Sequence, residues 1–352
     1  MKLPRLRFVA LFLVAVAIAC GAQDFDPQSH VNNVRIFATR ADKPYAKPGE
    51  SVTLEALLGD GRKDKTHPLK HYWIPLICLN PTDDLYYACF APPSPGDAGV
   101  TTRLIPTVDA GIGEGGGGGG GNPLANLPQG ADIGGFLPQG TTFGFTMPLD
   151  AIQPRTGSDP YGLVVVFDIA CTGHITTVQR DPAAGPQQVP LACTGDDGLP
   201  VPPSDYVIGI SRVYSYDTRT NTNPVIEKMT LDGVDVDPKA GLTVDKCTEH
   251  KSADCKDIKI DVHVSDASWE DNPSDIEHQG TPFHEQIWVD WYSDMGEFTE
   301  DARLLFDAQK GRNDDSAVKF HAPKDPGDGT VWAVVHDNRG GAAWMVVPLH
   351  VR

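Results

Sequence analysis

The residues best suited to chemistry lie between Asp232 and Glu277, where thirteen Asp or Glu stand against five Lys. Within that stretch Asp266, Glu270, Asp271, Asn272, Asp275 and Glu277 crowd one segment between expected strands. Calcium takes about six to eight oxygen ligands, and carboxylates gathered in one loop can supply them. Asp266, Glu270, Asp271, Asp275 and Glu277 are therefore the candidate metal ligands, with calcium as the ion. The commoner use of such a loop is a solvated acidic surface. The Asp-x-Asp-x-Asp-Gly register of a dedicated calcium loop is missing, because Asp235 and Asp237 follow Gly233 without the later Glu.

The other constellations are weaker. His278, His284 and Glu285 lie close to Trp288, but a zinc hydrolase needs His-Glu-x-x-His on a helix, and Trp288 stands where the second His belongs. Asp290 and Asp294 could pair as acid and base, yet any acidic β-protein offers many such pairs. Gly111, Gly113 and Gly116 fit a dinucleotide fingerprint in spacing alone, since they follow no strand and open no helix. There is no Gly-x-Ser-x-Gly elbow and no phosphate-binding loop. The chain is expected to be non-enzymatic. Its six tryptophans fall mostly at strand positions, as core residues do, and Trp269 in a loop is the exception that could serve as a carbohydrate platform.

Cysteine usage and charge set the compartment. Cys78, Cys89, Cys171, Cys193, Cys247 and Cys255 have neither CxxC-like spacing nor neighbouring His, so disulfides are expected rather than zinc. Six cysteines allow many connectivities, and proximity in sequence favours Cys78–Cys89, Cys171–Cys193 and Cys247–Cys255, each closing a loop that contributes about 3 kcal/mol. Ahead of them, Lys2 to Arg7 is basic and Phe8 to Ala19 is apolar, which is too short to span a bilayer and reads as an export signal. The small residues Ala17-Ile18-Ala19 before Cys20 resemble a bacterial lipobox, making Cys20 the lipidated first residue; the alternative is an ordinary signal cut near Ala19 or Ala22. Gly21 follows without the Asp that often retains such proteins at the inner membrane. The address is then the outer membrane or cell surface, reached through a lipid anchor. With 29 Lys and Arg against 47 Asp and Glu, the formal charge is −18. A polyanion of this size is repelled by phosphate backbones, so nucleic acid is not a partner.

The elements that must position these residues are strands. Val34 to Ala38 reads as an edge strand, and the turn Lys47 to Glu50 leads into the alternating Ser51 to Leu58. His71 to Cys78 is β-branched and aromatic, with Pro75 marking a bulge or an edge. Tyr86 to Phe90 is expected to return against it as a disulfide-stapled hairpin. Residues 91–140, with seven consecutive glycines at 115–121, form a flexible insertion. Tyr161 to Cys171 is nearly all apolar, as for a central strand buried on both faces, and Tyr206 to Tyr216 ends the first domain. Polar residues 217–224 form a linker. The second domain runs through Val225 to Leu231, Ile258 to Val264, Gln286 to Tyr292, Thr330 to His336 and Ala342 to Val351. Thr299 to Ala308 is short for a helix and fits a turn or strand better. Strands spaced this way point to an all-β, antiparallel β-sandwich architecture.

A family resemblance sharpens this. Pro48-Gly49-Glu50-Ser51-Val52-Thr53-Leu54 resembles the opening strands of bacterial Ig-like domains. Trp291-Tyr292 followed by Gly296 is similar to the central-strand tryptophan of Ig-like and PKD-like modules. Val331 to Gly341 resembles their final hairpin, which often reads Val-x-Asp-x-Arg-Gly-Gly. With the lipobox, the chain resembles bacterial, myxobacterial-type surface lipoproteins carrying Ig-like/PKD-like domains. The resemblance implies two Ig-like antiparallel β-sandwich domains behind a signal peptide (1–19) and a tether (20–30). The first (31–216) carries a long Gly-rich loop insertion at 91–140, and the second spans 225–352. It implies a non-catalytic role presenting these domains for protein or glycan binding. A second reading is a structural or assembly subunit of an envelope complex that pairs by strand addition, and a third, disfavoured because no nucleophile or metal constellation stands out, is a hydrolase on a β-scaffold.

Overall fold

The computed structural model describes residues 27–90, 103–106, 128–155, 158–178, 189–271 and 283–352. Cys20, the glycine run at 115–121, Asp275 and Glu277 lie outside the described residues. The first half contributes β1 (Val34–Ala41), β2 (Tyr45–Ala46), β3 (Ser51–Asp60), β4 (Lys70–Leu79), β5 (Arg103–Pro106) and β6 (Thr142–Thr146). It continues with β7 (Gln153–Arg155), β8 (Ser158–Cys171), β9 (His174–Thr177), β10 (Leu191–Thr194) and β11 (Tyr206–Ser215). The second half contributes β12 (Ile226–Leu231), β13 (Val234–Asp235), β14 (Leu242–Val244), β15 (Ile258–Val264), β16 (Ile287–Ser293) and β17 (Glu297–Phe298). It ends with β18 (Ala302–Asp307), β19 (Gly311–Arg312), β20 (Val318–His321), β21 (Gly327–Asp337) and β22 (Ala342–Val351). Among the described residues no helix is long and apolar enough to cross a membrane.

The chain is all-β and folds as two sandwiches, and among the described residues no sheet mixes strands from before and after 217–224. In the first, the sheet β1-β3-β6 packs on the sheet β2-β11-β8-β4-β5. Alternation selects the inward residues: Val52, Leu54 and Ala56 of β3 meet Trp73, Val164, Val166 and Val213 of the larger sheet. The opposite face of that sheet is covered as well, with Ile74, Leu76, Val165 and Phe167 packed under Phe90, Ile133, Leu137 and Ile175. The apolar run of β8 is thus buried on both sides. In the second sandwich β13-β12-β15-β20-β17 faces β14-β22-β21-β16-β18-β19. Ile258, Ile260 and Val262 of β15 there meet Val289 and Trp291 of β16. Neighbouring strands are antiparallel except where β2 joins β11 and β14 joins β22, both parallel.

Two expectations change. Tyr86 to Phe90 is a 3-10 turn rather than a returning strand. Cys89 in this turn is tied back to Cys78 of β4 by a disulfide. Asn80, Asp83 and Asp84 all adopt left-handed backbone, φ 48°, 53° and 57°, which turns the chain across the sheet. The strand that does pair with β4 on that side is β5, inside the expected insertion. Residues 128–137 of the same insertion also pack into the core, through Ile133 and Leu137. Pro75 coincides with a register shift between Trp73 and Ile77, the bulge its missing N–H demands. Thr299 to Ala308 contains strand β18.

The sandwiches are joined by an apolar plug. Phe37 of β1 inserts between Tyr292 and Trp332, with ring centroids 4.6 and 5.0 Å apart, and Val31, Val334 and Trp344 close around it. Gly59 on the paired strand makes the room, since a Cβ there would stand 2.4 Å from the Phe37 ring. Backbone bonds reinforce the joint: Val31 N–H donates to Ser293 O at 2.8 Å and Ser293 N–H to Ser29 O at 2.8 Å. Asn223 ties both sides, donating to Ala41 O at 2.7 Å and accepting from Ala342 N–H at 2.9 Å. Phe37→Ala is expected to lower stability by about 3 kcal/mol and to separate calorimetric unfolding into two transitions, one for each sandwich. A single transition at the wild-type temperature would show that the plug couples nothing.

Candidate functional site

Beside the plug the two sandwiches enclose an open cleft of about 830 Å³. Its first-domain walls are the consecutive residues Ile36–Thr39 of β1 and Val207–Arg212 of β11. Side chains of a strand alternate between faces, so an uninterrupted run of lining residues means that both strands meet the cleft edge-on. The second sandwich overhangs it with Trp288 and the turn 336–340.

Aromatic side chains floor one end. Tyr45 and Tyr216 lie 4.7 Å apart, and Tyr161 and Tyr214 5.8 Å apart, as ring centroids. Arg155 sits 4.4 Å over Tyr161, Arg219 5.2 Å over Tyr216 and Arg339 5.2 Å over Tyr45. Burial pushes Tyr161 up to about 12 and raises Tyr45, Tyr214 and Tyr216 as well, so all four stay neutral and act as ring faces and hydroxyl partners. The Tyr161 hydroxyl donates to Asp84. At the other end Trp288 stacks on His336 at 5.4 Å, and His336 Nε2 lies 3.3 Å from Asp290.

The overhanging turn is held from below. Asp337 accepts from the backbone N–H of Arg339 at 2.7 Å and of Gly341 at 2.8 Å, and from Asn221 Nδ2 at 3.3 Å. Gly341 is required there, because a Cβ would stand 2.1 Å from the Asp337 carboxylate. Arg339 ion-pairs with Glu285 at 2.7 Å and donates to Asp271 O and to Thr220 O of the linker. Glu285 is wholly buried, and the loss of water around its carboxylate, with Asp337 nearby, pushes it up to about 8.

Of the candidate metal ligands, the three described ones are held by separate partners. Asp266 pairs with Arg312 at 2.5 Å, Glu270 accepts from the Thr222 hydroxyl, and Asp271 pairs with His284 at 3.0 Å. Among the described residues no group of three His, Cys, Asp or Glu is placed to hold a metal ion. Asp290 faces His336, whereas Asp294 accepts from Thr330 N–H, so they serve different turns. Trp269 stacks on His284 at 3.7 Å and packs against the second core. The cysteines pair as Cys78–Cys89, Cys171–Cys193 and Cys247–Cys255. Sequence reasoning missed a buried pair in the first core: His71 Nε2 lies 2.7 Å from Asp168 and its Nδ1 2.8 Å from Gly140 O. Both partners are acceptors, and no hydroxyl or thiol among the described residues bonds to either side chain, so the pair braces β4 against β8. It also missed the cleft, whose residues come from distant strands; the one local signal was the half-apolar alternation Ile208, Ile210, Tyr214.

No family model matches the chain. No curated protein matches it either. Among solved structures the chain is similar to the fibronectin(III)-like modules of Clostridium thermocellum CbhA. That likeness has 10% identity and a TM-score of 0.22, over 90% of this chain and 94% of that one. It is also similar to dimeric latent PorU from Porphyromonas gingivalis, at 12% identity and a TM-score of 0.19, over 92% of this chain and 24% of that one. A third is E. coli alpha-2-macroglobulin, at 12% identity and a TM-score of 0.20, over 91% of this chain and 17% of that one. The sandwich assignment rests on the strand pairings themselves.

The buried carboxyl under the overhang makes stability depend on pH. Glu285 titrates near 8 in the folded chain against 4.5 as an ordinary carboxyl. Between those values the folded chain keeps a proton that the unfolded chain has released, so stability falls as pH rises through this window and levels off above it. Urea midpoints across the window should therefore fall more steeply in the wild type than in Glu285→Gln, with the variant more stable at the alkaline end. Parallel profiles would contradict the assignment.

Proposed function

We propose that the chain is a non-catalytic binding protein of the cell envelope, anchored through lipidated Cys20, and that the cleft between its sandwiches takes a protein or glycan ligand. The observation that carries this reading is the cleft of about 830 Å³, walled by strand edges and floored by tyrosines. Ring faces and neutral hydroxyls beside arginines suit molecular recognition, because they combine apolar area with directional polar contacts at low entropic cost. Ligand sites favour domain junctions, and a junction locked by Phe37 keeps its shape before the ligand arrives. Three disulfides fit an exported protein. The −18 charge keeps such a surface soluble and away from nucleic acid.

Two experiments test this. In cells, the wild type should fractionate with membranes and Cys20→Ser with the soluble fraction; a membrane-bound variant would remove the anchor from the account. In vitro, the purified protein should retain members of a glycan array or of a displayed linear-peptide library. Trp288→Ala, at the half-buried rim, should weaken that retention by about tenfold without moving the melting temperature far. Ligands held equally by wild type and variant would place binding outside the cleft.

A further inference from the structure

Resting on that reading of the cleft, we infer that its ligand is an extended peptide segment of a partner protein, bearing an acidic side chain and adding as a strand to the outer edge of β11.

The backbone of β11 presents free hydrogen-bonding groups to the cleft. Its pairing with β8 runs without a register shift from Tyr206 to Ser215, so N–H and C=O groups alternate strictly between the two edges of the strand. Tyr214 N–H donates outward, to Pro44 O at 3.3 Å, where β2 adds in parallel. The parity then sends the N–H and C=O of Arg212, Ile210 and Ile208 to the same outer edge. Among the described residues no strand pairs with that edge beyond Tyr214, and all three residues line the cleft. Backbone donors and acceptors repeating every second residue match the repeat of a strand. A glycan resting on the aromatic floor would leave them to water, whereas a peptide continuing the line begun by β2 would use each of them.

The cleft also limits what can add. An open edge invites indiscriminate sheet-to-sheet pairing unless something covers it. Here Trp288 and residues 336–340 of the second sandwich line the cleft beside the edge and screen it. The charges select further. In a chain of −18 the charged lining is Arg212, Arg339 and Asp337, with His336. Asp337 is occupied by backbone donors and Asn221, and Arg339 by Glu285 and the carbonyls of Asp271 and Thr220, while Arg212 is exposed and has no ion pair among the described residues. An acidic side chain opposite Arg212, with apolar ones beside the half-buried Ile208 and Ile210, gives favourable cross-strand neighbours along one face.

The test screens the full exported protein against a displayed library of random linear peptides about ten residues long, in parallel with the glycan array. Selected peptides should share apolar residues at alternate positions and an Asp or Glu at a further alternate position. In synthetic copies, methylating the backbone nitrogens of one parity should weaken binding by at least about tenfold, and methylating those of the other parity should not. Arg212→Glu, an exposed change, should shift selection to Lys or Arg. Peptides indifferent to both N-methylation and Arg212→Glu would overturn strand addition. Retention of glycans alone, sensitive to Trp288→Ala, would overturn the peptide and leave the cleft standing. Retention of neither class would overturn both.

Discussion

The contact on which the rest of the molecule depends is Phe37 against Tyr292 and Trp332. It lies on the outer faces of two sheets that each already have a core on their inner side. With the Val31–Ser293 backbone bonds and Asn223 it turns two sandwiches on a polar linker into one body and gives the space between them a fixed shape. Glycine at position 59 is what allows the ring to lie flat on its own sheet while reaching into the next. Because this plug sits on β1, it also holds one wall of the cleft against the overhanging Trp288.

The open edge of β11 follows from how the first strand segment divides. The chain leaves β1 at Ala41, crosses through Pro44 and joins β11 for only Tyr45 and Ala46 before the Lys47–Glu50 turn starts β3. Gly49 at φ 82° makes that turn tight. A longer β2 would have filled the edge. Instead two residues cover its lower end, and the upper end faces the cleft. The second sandwich opens in the same way, with β14 joining β22 only at Leu349–Val351. Part of the remaining β22 edge lies close to the joint, where Arg40 stacks 4.2 Å over Trp344.

Much of the fold was legible in sequence because it is local. Ile258 to Val264 alternates within seven residues and β8 is apolar throughout, so period and composition alone place both strands. The disulfides pair neighbours and follow from proximity. Tyr86 to Phe90 is β-rich in composition, but Pro81 and the left-handed Asn80, Asp83 and Asp84 just before it turn the chain out of line with β4. The site was illegible for a different reason. Phe37, Arg212, Trp288 and Arg339 come from four strands or turns spread along the whole chain, and none stands out from its neighbours. Glu285 drew notice beside His284 as a metal motif, yet what distinguishes it is burial beneath Arg339, which only the fold creates. Of the acidic residues that crowd the sequence, Asp266, Glu270 and Asp271 each take a separate partner, Arg312, Thr222 and His284.

The most direct test of the account is residue-resolved amide hydrogen exchange along β11 in the ligand-free protein. The outward amides of Ile208, Ile210 and Arg212 should exchange far faster than Val207, Gly209, Ser211 and Val213, which bond to β8. Uniform protection along β11 would mean that its outer edge is already paired, and the cleft could then take no strand.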